Sequence, residues 1–263
     1  MNEKLKKQYI KYNIKGLPYG EVGDKLGDAY EDFVADIFED DKYINQYEYL
    51  NDCEVDECIF KTIIEYENIN VNYVDNIKAT TEIPKRETGG NAKTDVLVTV
   101  YFKDGQSIQI PISVKQTTAP KVAMAEYDVD TILRETGIKN LEIEILLKKF
   151  QKDGSAKNFT QEQKNILTEE LAKNNNKEKL VRWILTMSPF ICNEDIRVPR
   201  YIIRFKLNKV TLDIEKYKIY TIDECIKELT TDKYGKPKKG GFGTGLSWTY
   251  ATGSKGNKIQ FKG

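Results

Sequence analysis

Two alternating apolar runs, Val96 to Phe102 and Ile108 to Val114, constrain the architecture of this chain more than any other feature. In the first, Val96, Val98, Val100 and Phe102 alternate with Asp95, Leu97, Thr99 and Tyr101. In the second, Ile108, Ile110, Ile112 and Val114 alternate with Gln109, Pro111, Ser113 and Lys115. Successive side chains of a strand project to opposite faces, so both strands are predicted to bury their even-numbered side. That parity selects the turn. A two-residue Asp-Gly loop would pair Lys103 with Gln106 and set every even position against an odd one, exposing one apolar face. A three-residue loop, Lys103-Asp104-Gly105, with Gly105 left-handed, pairs Phe102 with Gln106 and keeps the even faces together. In that register Val100 opposes Ile108, Val98 opposes Ile110, Val96 opposes Ile112 and Asp95 opposes Ser113. Lys115 becomes the diagonal neighbour of Asp95, about 7–8 Å away at the backbone. Pro111 has no N–H for the ladder and marks the place where this strand is expected to bulge.

The register brings an acid, a hydroxyl and a lysine to one face at the strand ends. An aspartate can ligate Mg²⁺ beside a phosphate, and a lysine can orient a water and stabilise developing negative charge. The same trio also fits an ordinary surface ion pair on a half-exposed sheet, and spacing alone does not separate the two.

Composition narrows the chemistry. The 263 residues include no histidine, which removes Ser-His-Asp hydrolases, Cys-His proteases and His-ligated zinc sites. Hydrolysis in this chain must run on carboxylates, lysine and a hard metal ion. The four cysteines, Cys53, Cys58, Cys192 and Cys225, match no zinc spacing and are expected to be buried thiols of a cytoplasmic protein. No apolar run has the length of a membrane span, so no membrane partner is expected. The net charge is zero but unevenly spread: residues 21–68 hold sixteen Asp or Glu against three Lys, and 234–263 hold six Lys and no acid. A basic segment on a neutral chain suggests an anionic partner there, or a solvated tail.

Elsewhere, Leu26, Tyr30, Phe33, Val34, Ile37 and Phe38 fall at helical spacing within Gly23–Asp40, with Asp24 as the candidate cap and Glu31 beside the apolar stripe. Residues 41–80 read as helical or irregular, and Glu87–Lys93 as a glycine-containing turn. "AEYDVDTILRETG", "LEIEILLKKFQ", "FTQEQKNILTEELAK" with a Thr160–Gln163 capping box, and "KEKLVRWILTM" read as helices. "RYIIRFKLNKV" and "YKIYTI" read as strands. The mixture predicts an α/β or α+β fold, a mixed β-sheet flanked by helices, in one globular unit over 1–263, with a C-terminal subdomain as the alternative.

"TDVLVTVYF…PISVK" resembles the PD-(D/E)xK nucleases, in which an Asp opens one strand and an acid-x-Lys closes the next. "GDKLGDAYEDFVADIF", "VAMAEYDVDTI", "SAKNFT" and "GFGTGLSWTYATGSKGNKIQFKG" are similar to type II restriction endonucleases of that superfamily, over nearly the whole chain. The resemblance implies a restriction-endonuclease-like fold, double-stranded DNA as partner, a short G·C-rich palindrome, CCGG, as target, and Mg²⁺ as cofactor. It assigns Asp95, Ser113 and Glu31 to the metal and Lys115 to catalysis, Ser113 standing where most relatives carry an acid. It makes 234–263 a recognition segment, with Thr249, Gln260 and Lys262 among the DNA-binding positions and Lys255 and Lys258 facing an anion. Ala123 stands where a base-contacting serine is expected. The glycines around 240–245 match neither a dinucleotide fingerprint nor a phosphate loop, so no nucleotide cofactor is expected. A catalytically weak DNA-binding module on this fold and a structure-specific repair nuclease remain as alternatives, and oligomeric state is left open.

Overall fold

The computed structural model describes residues 2–14, 19–50, 54–86, 90–192 and 194–263, the side chains of residues 19–21 excepted. The chain divides into two compact units, residues 1–119 with 193–221, and residues 120–192 with 222–263.

The first unit holds helices α1 (Glu3–Lys11), α2 (Tyr19–Phe38), α3 (Lys42–Asn45) and α4 (Val55–Tyr66). Its strands are β1 (Val74–Thr80), β2 (Val96–Phe102), β3 (Ser107–Thr117), β5 (Tyr201–Leu207) and β6 (Ile214–Thr221). They form one sheet in the order β1-β2-β3-β5-β6. Only the β3–β5 pairing is parallel, so the sheet is mixed, as the pattern predicts.

The hairpin takes the register that parity requires: Val96 faces Ile112, Val98 faces Ile110 and Val100 faces Ile108. Gly105 has φ +87°, its N–H donates to the Phe102 carbonyl at 2.9 Å, and the Phe102 N–H donates to the Gln106 carbonyl at 2.9 Å. Val96, Val98, Val100, Ile110 and Ile112 are fully buried. The ladder passes through Pro111 without a shift, so the expected bulge is absent. The even residues of β3 bond to β2, and pairing with β5 begins only at Ile112 and Tyr201. The missing N–H of Pro111 therefore falls just ahead of β5 and forfeits no ladder bond, while its carbonyl accepts from the Arg200 N–H at 2.9 Å.

Helix α2 packs on β1, β2 and β3 through the predicted stripe. Tyr30 and Phe33 are fully buried, and their rings lie 4.8 and 6.1 Å from that of Phe205 on β5. The helix begins before Gly23, so Asp24 lies inside it and does not cap it. Strand β1 falls in a region read as helical or irregular. Its ladder shifts between Val74 and Asn76, and this bulge turns Val74 and Ile77 to the same buried side. A strand with its apolar residues three apart imitates helical spacing. Of the cysteines, Cys225 is buried as expected, whereas Cys58 and Cys192 are only partly covered. Cys53 and residues 87–89 of the predicted turn lie outside the described residues. Among the described residues no helix is long and apolar enough to cross a membrane.

The second unit holds β4 (Ala123–Tyr127), α5 (Val129–Thr136), α6 (Leu141–Asp153), α7 (Gln161–Ala172), α8 (Asn176–Thr186), α9 (Ile222–Thr230), β7 (Ser247–Thr249) and β8 (Ile259–Lys262). Three antiparallel strands pair in the order β4-β8-β7. The Thr160–Gln163 capping box forms as predicted. The run read as one helix from Ala125 splits: Ala125–Tyr127 belong to β4, and Asp128 caps α5 by accepting from the Thr131 N–H at 2.7 Å. Phe242, Trp248 and Phe261 of the C-terminal segment build its core. Trp248 meets Phe150, Phe242 and Phe261 edge-on, with centroids 5.8, 5.1 and 5.0 Å away, and its indole N–H donates to Thr244 Oγ1 at 3.1 Å. Gly241 and Gly245 serve this packing. Gly245 has φ +74°, and a Cβ on it would lie 1.7 Å from the Leu229 carbonyl oxygen.

Two glycines predict opposite outcomes. Gly245→Ala should destabilise the protein by at least about 2 kcal/mol, more than the ~1–2 kcal/mol of a left-handed backbone alone, because the Leu229 backbone must also move. Gly27→Ala, in the interior of α2, would bring its Cβ no closer than 3.8 Å to Gln116 and should stabilise by about 0.5–1 kcal/mol. Urea denaturation of both variants checks the pair.

Candidate active site

The site is built at the end of β2, where Asp95 leaves the strand. The Asp95 N–H still donates to the Ile112 carbonyl at 2.9 Å, but its carboxylate turns over β3. Oδ2 accepts from the Ser113 hydroxyl at 2.8 Å, the Val114 N–H at 2.7 Å and the Lys115 ammonium at 2.7 Å. The Val114 bond explains the arrangement. Even-numbered N–H groups of β3 point towards β2, and β2 stops at Val96 while β3 runs on to Thr117. The carboxylate thus supplies the acceptor that a longer β2 would have supplied. All three of these bonds fall on Oδ2, and none of them on Oδ1.

Burial grades across the cluster. Ser113 is 1% exposed, whereas the side chains of Asp95 and Lys115 are 19% and 21% exposed. Lys115 also donates to the Val114 carbonyl at 3.0 Å, so its ammonium is fixed at two points. Glu31 reaches the same place from α2. Burial, and then the nearby negative charge of Asp95, push its carboxyl up to about 7, with Lys115 acting in the opposite sense. At neutral pH the Glu31 proton is therefore shared between bound and released states. The structure thus brings Asp95, Ser113, Lys115 and Glu31 together.

Lys93, which the sequence places in a turn and gives no role, joins them. Burial and the charge of Lys115 lower its ammonium to about 8, against the pull of Asp95. Lys93 stands two residues before Asp95, in a bend outside the strand, where no periodicity points to it. The cluster offers two carboxylates and a hydroxyl, and among the described residues no three His, Cys, Asp or Glu side chains gather into a metal cage.

The residues expected to meet DNA lie in the second unit. Ile259 and Phe261 of β8 are fully buried, so Gln260 and Lys262 face the other way. Across the sheet Lys262 pairs with Ala123 on β4 and Ser247 on β7, while Gln260 pairs with Glu126 and Thr249. One face therefore collects Ala123, Thr249, Gln260 and Lys262 from the prediction, together with Ser247 and Glu126. Glu126 went unnoticed because its strand was read as a helix start. Lys255 and Lys258 sit in the turn between β7 and β8. The Lys255 ammonium lies 5.3 Å from the Tyr250 ring centroid, and that of Lys258 lies 3.7 Å from Glu126.

The profile of the restriction endonuclease MspI family matches residues 5–263. The type II restriction enzyme MspI of Moraxella sp is 35% identical over 266 residues, covering 99% of either chain. The type II restriction enzyme BsuFI of Bacillus subtilis is 30% identical over 210 residues, 78% of this chain and 49% of that protein. The crystal structure of MspI in complex with its cognate DNA superimposes with a TM-score of 0.85 at 33% identity, covering 100% of this chain and 99% of that one.

The elevated Glu31 pKa predicts a pH-dependent cost. The folded protein holds the Glu31 proton up to about pH 7, whereas the unfolded chain releases it near 4.5. Stability should therefore fall as pH rises through that window, with the full penalty present above 7. In chelator, Glu31→Gln should be more stable than the parent by about 1–3 kcal/mol at pH 8, and the gain should shrink towards zero near pH 4.5. Urea titrations at several pH values measure it. A gain equal at pH 5 and pH 8 would mean that Glu31 is not the strained group.

Proposed function

The chain belongs to the restriction endonuclease MspI family and is a type II restriction endonuclease, and from that premise we propose that it hydrolyses duplex DNA at CCGG with Mg²⁺ as cofactor. The observation that carries the reading is the convergence on Asp95 Oδ2 of Ser113, the Val114 N–H and Lys115, with the Glu31 carboxyl alongside. The catalytic set in this proposal is Asp95, Glu31, Ser113 and Lys115.

The donor set suits a hard cation. Asp95 and Glu31 offer carboxylate oxygens and Ser113 a hydroxyl, all oxygen ligands of the kind Mg²⁺ prefers. A Glu31 carboxyl poised near 7 is the expected state of two crowded acids whose neutralising charge arrives with the ligand. Mg²⁺ bound there supplies positive charge against the two carboxylates and the scissile phosphate. The remaining work falls to the protein. Asp95, held by three donors, keeps one geometry. Lys115 presents a fixed ammonium that can orient the attacking water and balance charge developing on the phosphate. Ser113 spends its proton on Asp95, so the pair carries one negative charge where an acid at 113 would give two.

In the second unit, the proposal makes 234–263 the recognition segment, with Lys262, Gln260 and Thr249 presented by a small sheet on a rigid aromatic base. Lysine can read guanine O6 and N7 in the major groove, which suits a site of G·C pairs only. A catalytically weak DNA-binding module on the nuclease fold is the second reading, favoured by the neutral residue at 113. Plasmid digestion with Mg²⁺ separates the two: discrete fragments ending at CCGG support the enzyme reading, and site-selective retention without cutting supports the other.

Asp95→Asn and Lys115→Ala should each lower cleavage by at least about 10²-fold while retaining site-selective binding in a gel shift. Asp95→Ala should in addition lose about 1–3 kcal/mol of stability, because the Val114 N–H is left without an acceptor. Near-parental cutting by Asp95→Asn or Lys115→Ala would remove this active site. Ser113→Asp should tighten divalent binding in the absence of DNA, read by calorimetric titration with Mg²⁺ or Mn²⁺. Equal affinities would place Ser113 away from the ion.

A further inference from the structure

The outward face of the β4-β8-β7 sheet carries two cross-strand rows, Ala123–Lys262–Ser247 and Glu126–Gln260–Thr249. A register shift between Ala123 and Ala125 buries Met124 and brings Glu126 to the same side as Ala123, three positions away. Without that bulge the two would point to opposite faces. The consequence is chemical. Lys262 only donates, Gln260, Ser247 and Thr249 both donate and accept, and Ala123 does neither; Glu126 alone is a pure acceptor when ionised.

A G·C pair presents two acceptors on guanine, O6 and N7, and one donor on cytosine, the N4 amino group. A lysine reads the guanine and is blind to the cytosine. We infer that Glu126 is a specificity-determining residue that accepts a hydrogen bond from a cytosine N4 amino group. The inference rests on the proposal above that this face meets base edges. Glu126 is prepared for the task. The Ser254 hydroxyl donates to Oε2 at 3.2 Å, and Lys258 lies 3.7 Å from Oε1. The lysine offsets the repulsion that a bare carboxylate meets among phosphates. Neither contact exhausts the four lone-pair sites of the group, and its side chain remains 35% exposed.

The competing role is a staple: Glu126 could merely hold the 250–258 turn through Ser254 and Lys258. Duplexes of the selected site in which each cytosine in turn is N4-methylcytosine distinguish the two, since the methyl replaces the amino hydrogen that faces the major groove. The parent protein should bind one such duplex about 10-fold or more weakly than unmodified DNA. Glu126→Ala should bind unmodified DNA more weakly and be indifferent to the methyl at that position, Glu126→Gln, whose amide oxygen still accepts, should keep part of the penalty, and Ser254→Ala should keep the parent's penalty. Should Glu126→Ala retain the full methyl penalty, or the parent show none, the assignment is overturned. Lys262→Ala is the control for the underlying reading, tested on duplexes altered at single guanines. If it relaxes guanine preference while Glu126 fails its test, only the cytosine assignment falls. If it leaves every guanine preference intact, the face does not read bases and both fall together.

Discussion

The hydrogen bond from the Val114 N–H to Asp95 Oδ2, 2.7 Å long, is the interaction on which the site depends. A strand that outruns its neighbour leaves N–H groups without partners, and a buried orphan of that kind is costly. Here a side chain closes the gap. Because the acceptor is a carboxylate, the bond is charge-assisted, and it fixes the acid relative to β3 without a dedicated scaffold. Ser113 and Lys115, on the same strand and two residues apart, then meet the same oxygen as a matter of pleat geometry. The sheet's unequal strand lengths and the cluster of reactive groups share one cause.

The second unit solves a different problem. A three-stranded sheet with strands of three to five residues cannot bury enough on its own. Phe150, Phe242, Trp248 and Phe261 supply the missing core in edge-to-face contact, and Gly245 lets the chain pass against the Leu229 carbonyl. Gly241, Gly245, Phe242, Trp248 and Phe261 of the C-terminal segment are thus explained by its own packing. What remains for a partner is the polar face, whose residues would be unremarkable one by one.

Parity made the hairpin legible. Apolar alternation and the Lys103-Asp104-Gly105 turn leave a single register, and that register carries Asp95, Ser113 and Lys115 to one place before any resemblance is invoked. Where a bulge intervenes, the same logic misleads. The shift after Val74 gives β1 a spacing of three between buried residues, and the shift after Ala123 hides β4 inside what looks like a helix start. The strands β7 and β8 are too short for any periodicity to register. Glu31 was visible as an acid beside an apolar stripe, but its proximity to Asp95 is set by how α2 crosses the sheet, which no local pattern encodes. The roles assigned to Thr249, Gln260 and Lys262 came from resemblance and not from pattern.

The absence of histidine gives the Glu31–Asp95 pair its significance. A chain with no imidazole has no side chain whose ordinary pKa lies near neutrality, so any group that titrates there must be moved by its surroundings. Burial beside a second carboxylate raises Glu31 to about 7, and burial beside a second ammonium lowers Lys93 to about 8. Both shifts arise at one place, and each costs the folded state part of its stability. Crowding of like charges on both sides of a cluster is the expected form of a site completed by a ligand that carries charge of both signs, a cation together with a phosphate. An ordinary surface ion pair between Asp95 and Lys115 would require neither Glu31 nor Lys93 to be there.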